Sequence, residues 1–214
     1  LQQIDCIAAQ ADSDATRFLR LGVSPEKLRV TGSIKFELEL PQQLEAQRRE
    51  LQSQLLGERP ILIAASTREG EEEKLLRAYQ RCLETLPTLL LILVPRHPER
   101  FRAVARLCEE QGFSVIKRSD GPPVTESTNI FLGDSMGEML TYFSVSHLAF
   151  VGGSLVATGC HNVLEPAALG LPVLVGPSQF NFQTICEQLA EAGALLTVAD
   201  EQALALAVIK VFGD

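Results

Sequence analysis

The sequence predicts an α/β fold, a Rossmann-like, doubly wound parallel sheet. Three observations point to it. Between residues 60 and 198 lie seven short runs rich in Leu and β-branched residues. Each run is almost continuously apolar, as strands buried on both faces are. Most are separated by stretches of helical period, and strands alternating with helices build a parallel sheet with helices on its two faces.

The elements follow in order. "DSDATRFLRLG" (12–22) reads as a helix with an Asp N-cap and a Gly stop, and "KLRVTG" (27–32) as a short strand. A charged helix, "PQQLEAQRRELQSQLLG" (41–57), leads into the sheet. The strands are "PILIAAS" (60–66), "TLLLILVP" (88–95), "FSVIKR" (113–118), "TNIFLG" (128–133), "HLAFVGG" (147–153), "LPVLVGP" (171–177) and "ALLTV" (194–198). Leu75, Leu76, Tyr79, Leu83 and Leu86 give 69–86 a helical face, with the helix starting at Gly70. Phe101, Val104, Ala105 and Cys108 do the same before Gly112, as do Leu204, Ala207, Val208 and Val211 near the end. Residues 1–32 read as the tail of a preceding unit and 33–57 as a linker and helix, so the chain is expected to be a piece of something longer.

Composition narrows the function. A net charge of −8 over 214 residues excludes a general nucleic-acid-binding role, which needs a basic face. A local anion site needs only a helix end and one or two Arg. Five scattered Cys without a C-x-x-C pair predict reduced, half-buried thiols of a cytosolic protein, not a zinc site or a disulfide framework. No apolar run approaches the ~20 residues needed to cross a bilayer, so the chain itself is expected to be soluble.

In an open parallel sheet, ligands bind beyond the carboxyl ends of the strands. The residues there are unusually polar. Ser66, Thr67 and Arg68 follow one strand, and the glutamates 71–73 after them read as a dipole-matched helix start. Arg96 and His97 close the next, with Pro98 opening a helical turn where its missing N–H costs nothing. This is either an anion site or a surface Arg paired with Glu99 beside a capping His. "LGDSMGEML" (132–140) is either a glycine loop near a ligand or a turn capped by Asp134 or Ser135. His147 reads as a satisfied structural His. After the "GGS" turn, "HNVLEPAALG" (161–170) reads as a short helix carrying His161, Asn162 and Glu165 at its start. A glutamate there suits the two hydroxyls of a ribose, and the dipole is expected to keep it ionised. The alternative is a capped helix with no ligand.

In combination, "AQADSDATRFLRLGV", "VTGSIKFE", "AASTREGEEE", "VPRHPERF", "GDSMGEML", "FVGGSL", "HNVLEPAALGLPVLVGP" and "NFQTI" resemble the bacterial 3-deoxy-D-manno-octulosonic acid (Kdo) transferases, in matching order from about Ile7 to Val198. The resemblance implies a two-domain GT-B enzyme of lipopolysaccharide biosynthesis. Such an enzyme transfers Kdo from CMP-Kdo to the lipid A precursor (lipid IVA), with inversion and with neither metal nor cofactor. It works at the cytoplasmic face of the inner membrane, usually through an N-terminal anchor. The chain would comprise the end of the acceptor domain (1–32) and a truncated CMP-Kdo-binding domain (33–214), inactive alone because the catalytic carboxylate lies in the other domain.

Carried onto this sequence, the family's S-T loop falls on Ser66 and Thr67. The run at the CMP phosphate and nucleoside falls on Arg96, His97 and Pro98, and the loop near cytosine and ribose on Met136, Gly137 and Glu138. The glycine turn falls on Gly153 and Ser154, and the helix start at phosphate and ribose on His161, Asn162 and Glu165. Arg68, where His is common, Cys160, where Gly is common, and Ser33, where Asn is usual, depart from the pattern. Cys160 is the departure expected to alter its loop if the position needs a positive φ. Two other readings stay open: a GT-B domain for a UDP-sugar, and a non-catalytic nucleotide-binding module.

Overall fold

The structure, a computed structural model, describes residues 3–32, 39–55, 59–121 and 124–213; Ser33 lies outside them. The chain forms two compact units, Leu1–Glu39 and Leu40–Asp214.

In the first unit β1 (Ile7–Ala9) pairs in parallel with β2 (Leu28–Val30) across α1 (Asp12–Arg20). Three residues with two alanines carry too little pattern to mark β1 from sequence. The N-cap of α1 is Ala11, not an aspartate, and no side chain caps it. Asp12 and Asp14 instead occupy the first turn, where they complement the dipole. Gly22, at φ +84°, ends the helix as expected.

The second unit opens with α2 (Leu44–Gln54), which buries Leu44 and Leu51. Seven parallel strands follow: β3 (Ile61–Thr67), β4 (Leu90–Pro95), β5 (Val115–Lys117), β6 (Ile130–Leu132), β7 (Leu148–Val151), β8 (Val173–Val175) and β9 (Leu195–Thr197). Their order in the sheet is β5-β6-β4-β3-β7-β8-β9. The doubly wound α/β class is therefore what the sequence predicts. Along β3, Leu62 and Ala64 point into one core with α3 (Glu72–Thr85), α4 (Phe101–Glu110) and α8 (Glu201–Gly213). Ile61, Ile63 and Ala65 point into a second core with α2 and α5 (Met139–Val145). Alternate residues go to opposite faces and both faces are covered, so the strand reads as one apolar run.

α6 (Leu164–Ala168) and α7 (Gln183–Glu191) complete the unit, packing on β7 and β8 through Val151, Val163, Val173, Val175, Ile185 and Cys186. Several boundaries differ from the sequence reading. α3 starts at Glu72, with Gly70 in a turn at φ +78°. α5 has Glu138 at its N-cap position, and neither Asp134 nor Ser135 caps it. Four cysteines are fully buried rather than half-buried, Cys6 is exposed, and all five are free thiols. His147 is structural, its Nδ1 accepting the Ile61 N–H at 3.1 Å.

The order places a topological switch at β3. The chain winds outward through β4 and then returns to lay β7 on the other side of β3. The loops leaving β3 and β7 therefore diverge and open a crevice at their carboxyl ends. Among the described residues no helix is long and apolar enough to cross a membrane.

Candidate functional site

A cavity of about 280 Å³ opens at that switch point. That is the low end for small-molecule pockets, which run roughly 300–1,000 Å³. Four strand ends and the α6 start line it.

From β3 come Ala65 and Ser66. Ser66 has φ +57° and is the one non-glycine residue with positive φ among the described residues. The kink coincides with a bulge, where the pairing of β3 with β4 skips from Ala65 to Thr67. Non-glycine backbone held this way costs roughly 1–3 kcal/mol and clusters at functional sites. Gly152, at the end of β7, permits it: a Cβ there would lie 2.7 Å from the Ser66 carbonyl oxygen.

From β4 come Val94, Pro95 and Arg96. The Arg96 backbone N–H bonds the Thr67 carbonyl at 3.1 Å. Its exposed guanidinium has no hydrogen-bonding or ion-pair partner among the described residues. It is not paired with Glu99, whose carboxylate stands 3.9 Å from His97 Nδ1. The loop after β6 adds Ser135, Met136 and Gly137, and α5 adds Met139, Tyr142 and Phe143. Ser135 and Tyr142 share a hydrogen bond of 2.5 Å between their hydroxyls.

His161, Asn162 and Glu165 supply the remaining wall. The predicted helix over 161–170 is only the five residues of α6. Asn162 caps it locally: its Oδ1 accepts the Leu164 N–H at 3.1 Å, and its Nδ2 donates to Glu165 Oε1 at 3.0 Å. Burial pushes the Glu165 carboxyl above its ordinary range, against the Asn162 bond that lowers it. The expected support from backbone N–H groups is not what holds it: among the described residues the one hydrogen bond Glu165 receives comes from the Asn162 amide, and burial outweighs it. Burial, then the charges of Arg68 and Arg96, holds His161 down at about 4, so the imidazole is neutral at pH 7. Arg68 Nε donates to His161 Nε2 at 3.1 Å, which leaves the ring proton on Nδ1.

Seven of the predicted residues thus meet in one cavity: Ser66, Arg96, Met136, Gly137, His161, Asn162 and Glu165. The others do not line it. Thr67 is buried with its hydroxyl on Glu72 Oε1 at 2.8 Å. His97 meets the Arg68 guanidinium through Nε2 at 2.6 Å, and Pro98 opens a 3₁₀ turn before α4. Glu138 turns to Arg118, with Nη2 donating to Oε1 at 2.9 Å. Burial would raise its carboxyl, but Arg118, Ser135 and Tyr142 together hold it low. Gly153 and Ser154 form a buried turn whose N–H groups face Glu71.

Glu71 is the residue the sequence reading missed. Both Glu71 and Glu72 are completely buried, not a solvent-facing helix start. Glu71 Oε2 accepts the N–H of Gly153 at 2.7 Å and of Arg68 at 3.1 Å; Oε1 accepts those of Ser154 at 3.0 Å and Leu155 at 2.9 Å. One carboxylate therefore ties the loop after β3 to the loop after β7. Glu72 takes a bidentate pair from Arg100, at 2.6 and 3.0 Å, and so anchors the β4 loop to α3. A signal was present: four residues on from these glutamates stand Leu75 and Leu76, on the same helical face and in the core. Cys160 keeps an ordinary φ, the positive value falling on Gly159 at +83°, and its Sγ rests 3.8 Å from that of Cys186.

Comparison with known proteins adds identity to this geometry. Residues 1–38 match the family model described as 3-deoxy-D-manno-octulosonic-acid transferase (kdotransferase). The 3-deoxy-D-manno-octulosonic acid transferase of Haemophilus influenzae is 45% identical over 196 residues, 92% of this chain and 46% of that protein. The crystal structure of the C-terminal CMP-Kdo binding domain of WaaA from Acinetobacter baumannii matches with a TM-score of 0.75 and 37% identity, covering 79% of this chain and 89% of that one. The UDP-GlcNAc 2-epimerase of Methanocaldococcus jannaschii, at 15% identity and a TM-score of 0.62, shares the fold alone. The chain spans about half the length of the curated relatives it matches. With a matching domain covered over most of its length at this identity, the chain belongs to the 3-deoxy-D-manno-octulosonic acid transferase family.

Proposed function

We propose that the Leu40–Asp214 unit is the donor-binding domain of a Kdo transferase and takes CMP-Kdo in the cavity at the β3/β7 switch. One observation carries the reading: the same cavity holds a guanidinium with no partner among the described residues, Arg96, and a half-buried carboxylate, Glu165. A nucleoside phosphate presents the two complementary groups, an anion for the first and vicinal hydroxyl donors for the second. Support for cytidine as the base comes from the Acinetobacter baumannii domain, which is described as CMP-Kdo binding. Leu1–Glu39 is then the end of the acceptor domain. The whole protein moves Kdo from CMP-Kdo to the lipid A precursor at the inner membrane, with Arg96 holding the phosphate that leaves.

Titration of CMP, UMP, UDP and AMP tests this reading. CMP is expected to bind tightest. A preference for UDP would favour a UDP-sugar enzyme, and binding of none would leave a fold without this ligand. Within the site, Arg96→Ala is expected to weaken CMP by ~1.5–3 kcal/mol, the size of a charge-assisted bond, while hardly changing cytidine. Equal losses on both ligands would assign Arg96 to the base or to structure.

The pH dependence follows from Glu165. Its carboxyl is raised in the free protein, and ribose hydroxyls donate best to the ionised form. Binding therefore lowers that pKa and releases a proton. Cytidine, which lacks a titrating phosphate, is expected to bind more tightly as pH rises through the free-state pKa of Glu165, and by more than it does to Glu165→Gln, where only the cytosine N3 titrates. Calorimetry in two buffers of different ionisation enthalpy reads the released proton; no release below neutrality would remove the carboxylate from the ribose.

A further inference from the structure

Arg68 is a second cation at the site, and the nucleotide reading gives it no task. Its guanidinium is held by two imidazoles, with Nε on His161 Nε2 at 3.1 Å and Nη1 on His97 Nε2 at 2.6 Å. Neither imidazole neutralises it. Arg68 has no carboxylate partner for its side chain among the described residues. The nearby Glu71 is no substitute, because four backbone N–H groups fill its two oxygens. A guanidinium has five N–H donors, and the histidines use two of them. Arg68 is not part of the cavity wall but touches His161, which is. It therefore stands beside the nucleotide space and not inside it, and is half-buried.

The charge of the donor completes the argument. A cytidine phosphodiester of an ulosonic acid carries two separate anions, one on phosphorus and one on the sugar carboxylate. Two guanidinia with no carboxylate partner among the described residues, Arg68 and Arg96, face that need.

We propose that Arg68 is a specificity-determining residue that binds the carboxylate of the donor sugar, as Arg96 binds the phosphate. The two imidazoles pre-orient it, so little rotamer freedom is lost when the fork meets the planar carboxylate. This selects an acidic sugar over a neutral one. The inference rests on the nucleotide reading of the cavity, and its test separates the two.

Cytidine 5′-(methyl phosphate) and freshly made CMP-Kdo carry the same phosphodiester charge and differ in the acidic sugar. The carboxamide of CMP-Kdo, titrated beside them, keeps that sugar without its carboxylate charge and is expected to bind the unchanged chain about tenfold more weakly than CMP-Kdo. The first two are titrated against the unchanged chain, Arg68→Ala, Arg68→Gln and Arg96→Ala, each checked for folding by thermal melting. Gln keeps a donor for the histidines without the charge, so it covers the case in which Ala disturbs them. Both Arg68 variants are expected to lose about tenfold in affinity for CMP-Kdo, the size of one charge-assisted hydrogen bond, and less than twofold for the methyl ester. Arg96→Ala is expected to weaken both ligands. If the Arg68 variants treat the two ligands alike, whether both weaken or neither does, the carboxylate assignment is overturned and Arg68 serves the histidines alone. If the unchanged chain binds neither ligand, the nucleotide reading itself falls, and this inference with it.

Discussion

Glu71→Ala is expected to destabilise the Leu40–Asp214 unit by about 3–5 kcal/mol, the range for stranding buried charged or hydrogen-bonded partners. At roughly 2–4 °C per kcal/mol for a unit of this size, the melting temperature should fall by about 6–20 °C. Four backbone N–H groups from two loops would lose their acceptor, and three of them, on Gly153, Ser154 and Leu155, sit in a fully buried turn. The crowding around Gly152, where an added Cβ would also lie 2.8 Å from Glu71 Oε2, leaves little room for the turn to re-pair. Glu71→Gln separates shape from chemistry. Each carboxylate oxygen accepts two N–H groups, so either orientation of a glutamine points its NH₂ at two donors. Gln is therefore expected to cost nearly as much as Ala, unlike at a surface helix start, where the exchange is almost neutral. Thermal unfolding of both variants decides it. A Gln variant as stable as the original would mean that the two loops are not held through this carboxylate.

The strands were legible because burial on both faces leaves a signal in every residue. Along β4, Leu91 and Leu93 enter one core while Leu90, Ile92 and Val94 enter the other, and no alternation with polar residues blurs the run. Their ends were less legible: the 113–118 segment pairs only over Val115–Lys117, because pairing stops where β6 stops. α7 was passed over although Phe182, Ile185, Cys186 and Leu189, which face its core, do repeat at helical spacing; the stripe is short and its ends are only partly buried.

The site was legible where a side chain faces the crevice directly after a strand, as Arg96 does, or opens the helix over it, as Glu165 does. It was obscure where function is supplied by backbone. "GEEE" carries the composition of a solvated helix start, and a lone sequence does not say that a Gly-Gly-Ser turn some eighty residues on presents its N–H groups to the first glutamate. Arg68 was obscure for a related reason. What marks it out is that no carboxylate among the described residues pairs with its side chain, a property of three loops meeting.

The second large effect is expected at Glu165. Glu165→Ala should weaken CMP by ~1.5–3 kcal/mol, because a hydrogen bond to a charged acceptor is lost. The wall around it already favours that bond. Asn162 holds Oε1 at 3.0 Å, so the carboxylate is oriented before a ligand arrives, and burial removes competing water. Removing the ribose hydroxyls from the ligand should cost a similar amount in the unchanged protein, leaving Glu165 buried with Asn162 alone.

The most direct measurement is therefore a thermodynamic cycle at this residue. CMP and its 2′,3′-dideoxy analogue are each titrated against the unchanged chain and Glu165→Ala, with folding of the variant verified by its melting curve. The two losses remove one interaction, so they should fail to add, with a coupling energy of about 1.5 kcal/mol or more. A coupling near zero in a folded variant would contradict the account, and α6 would then be a capped helix whose glutamate meets no ribose.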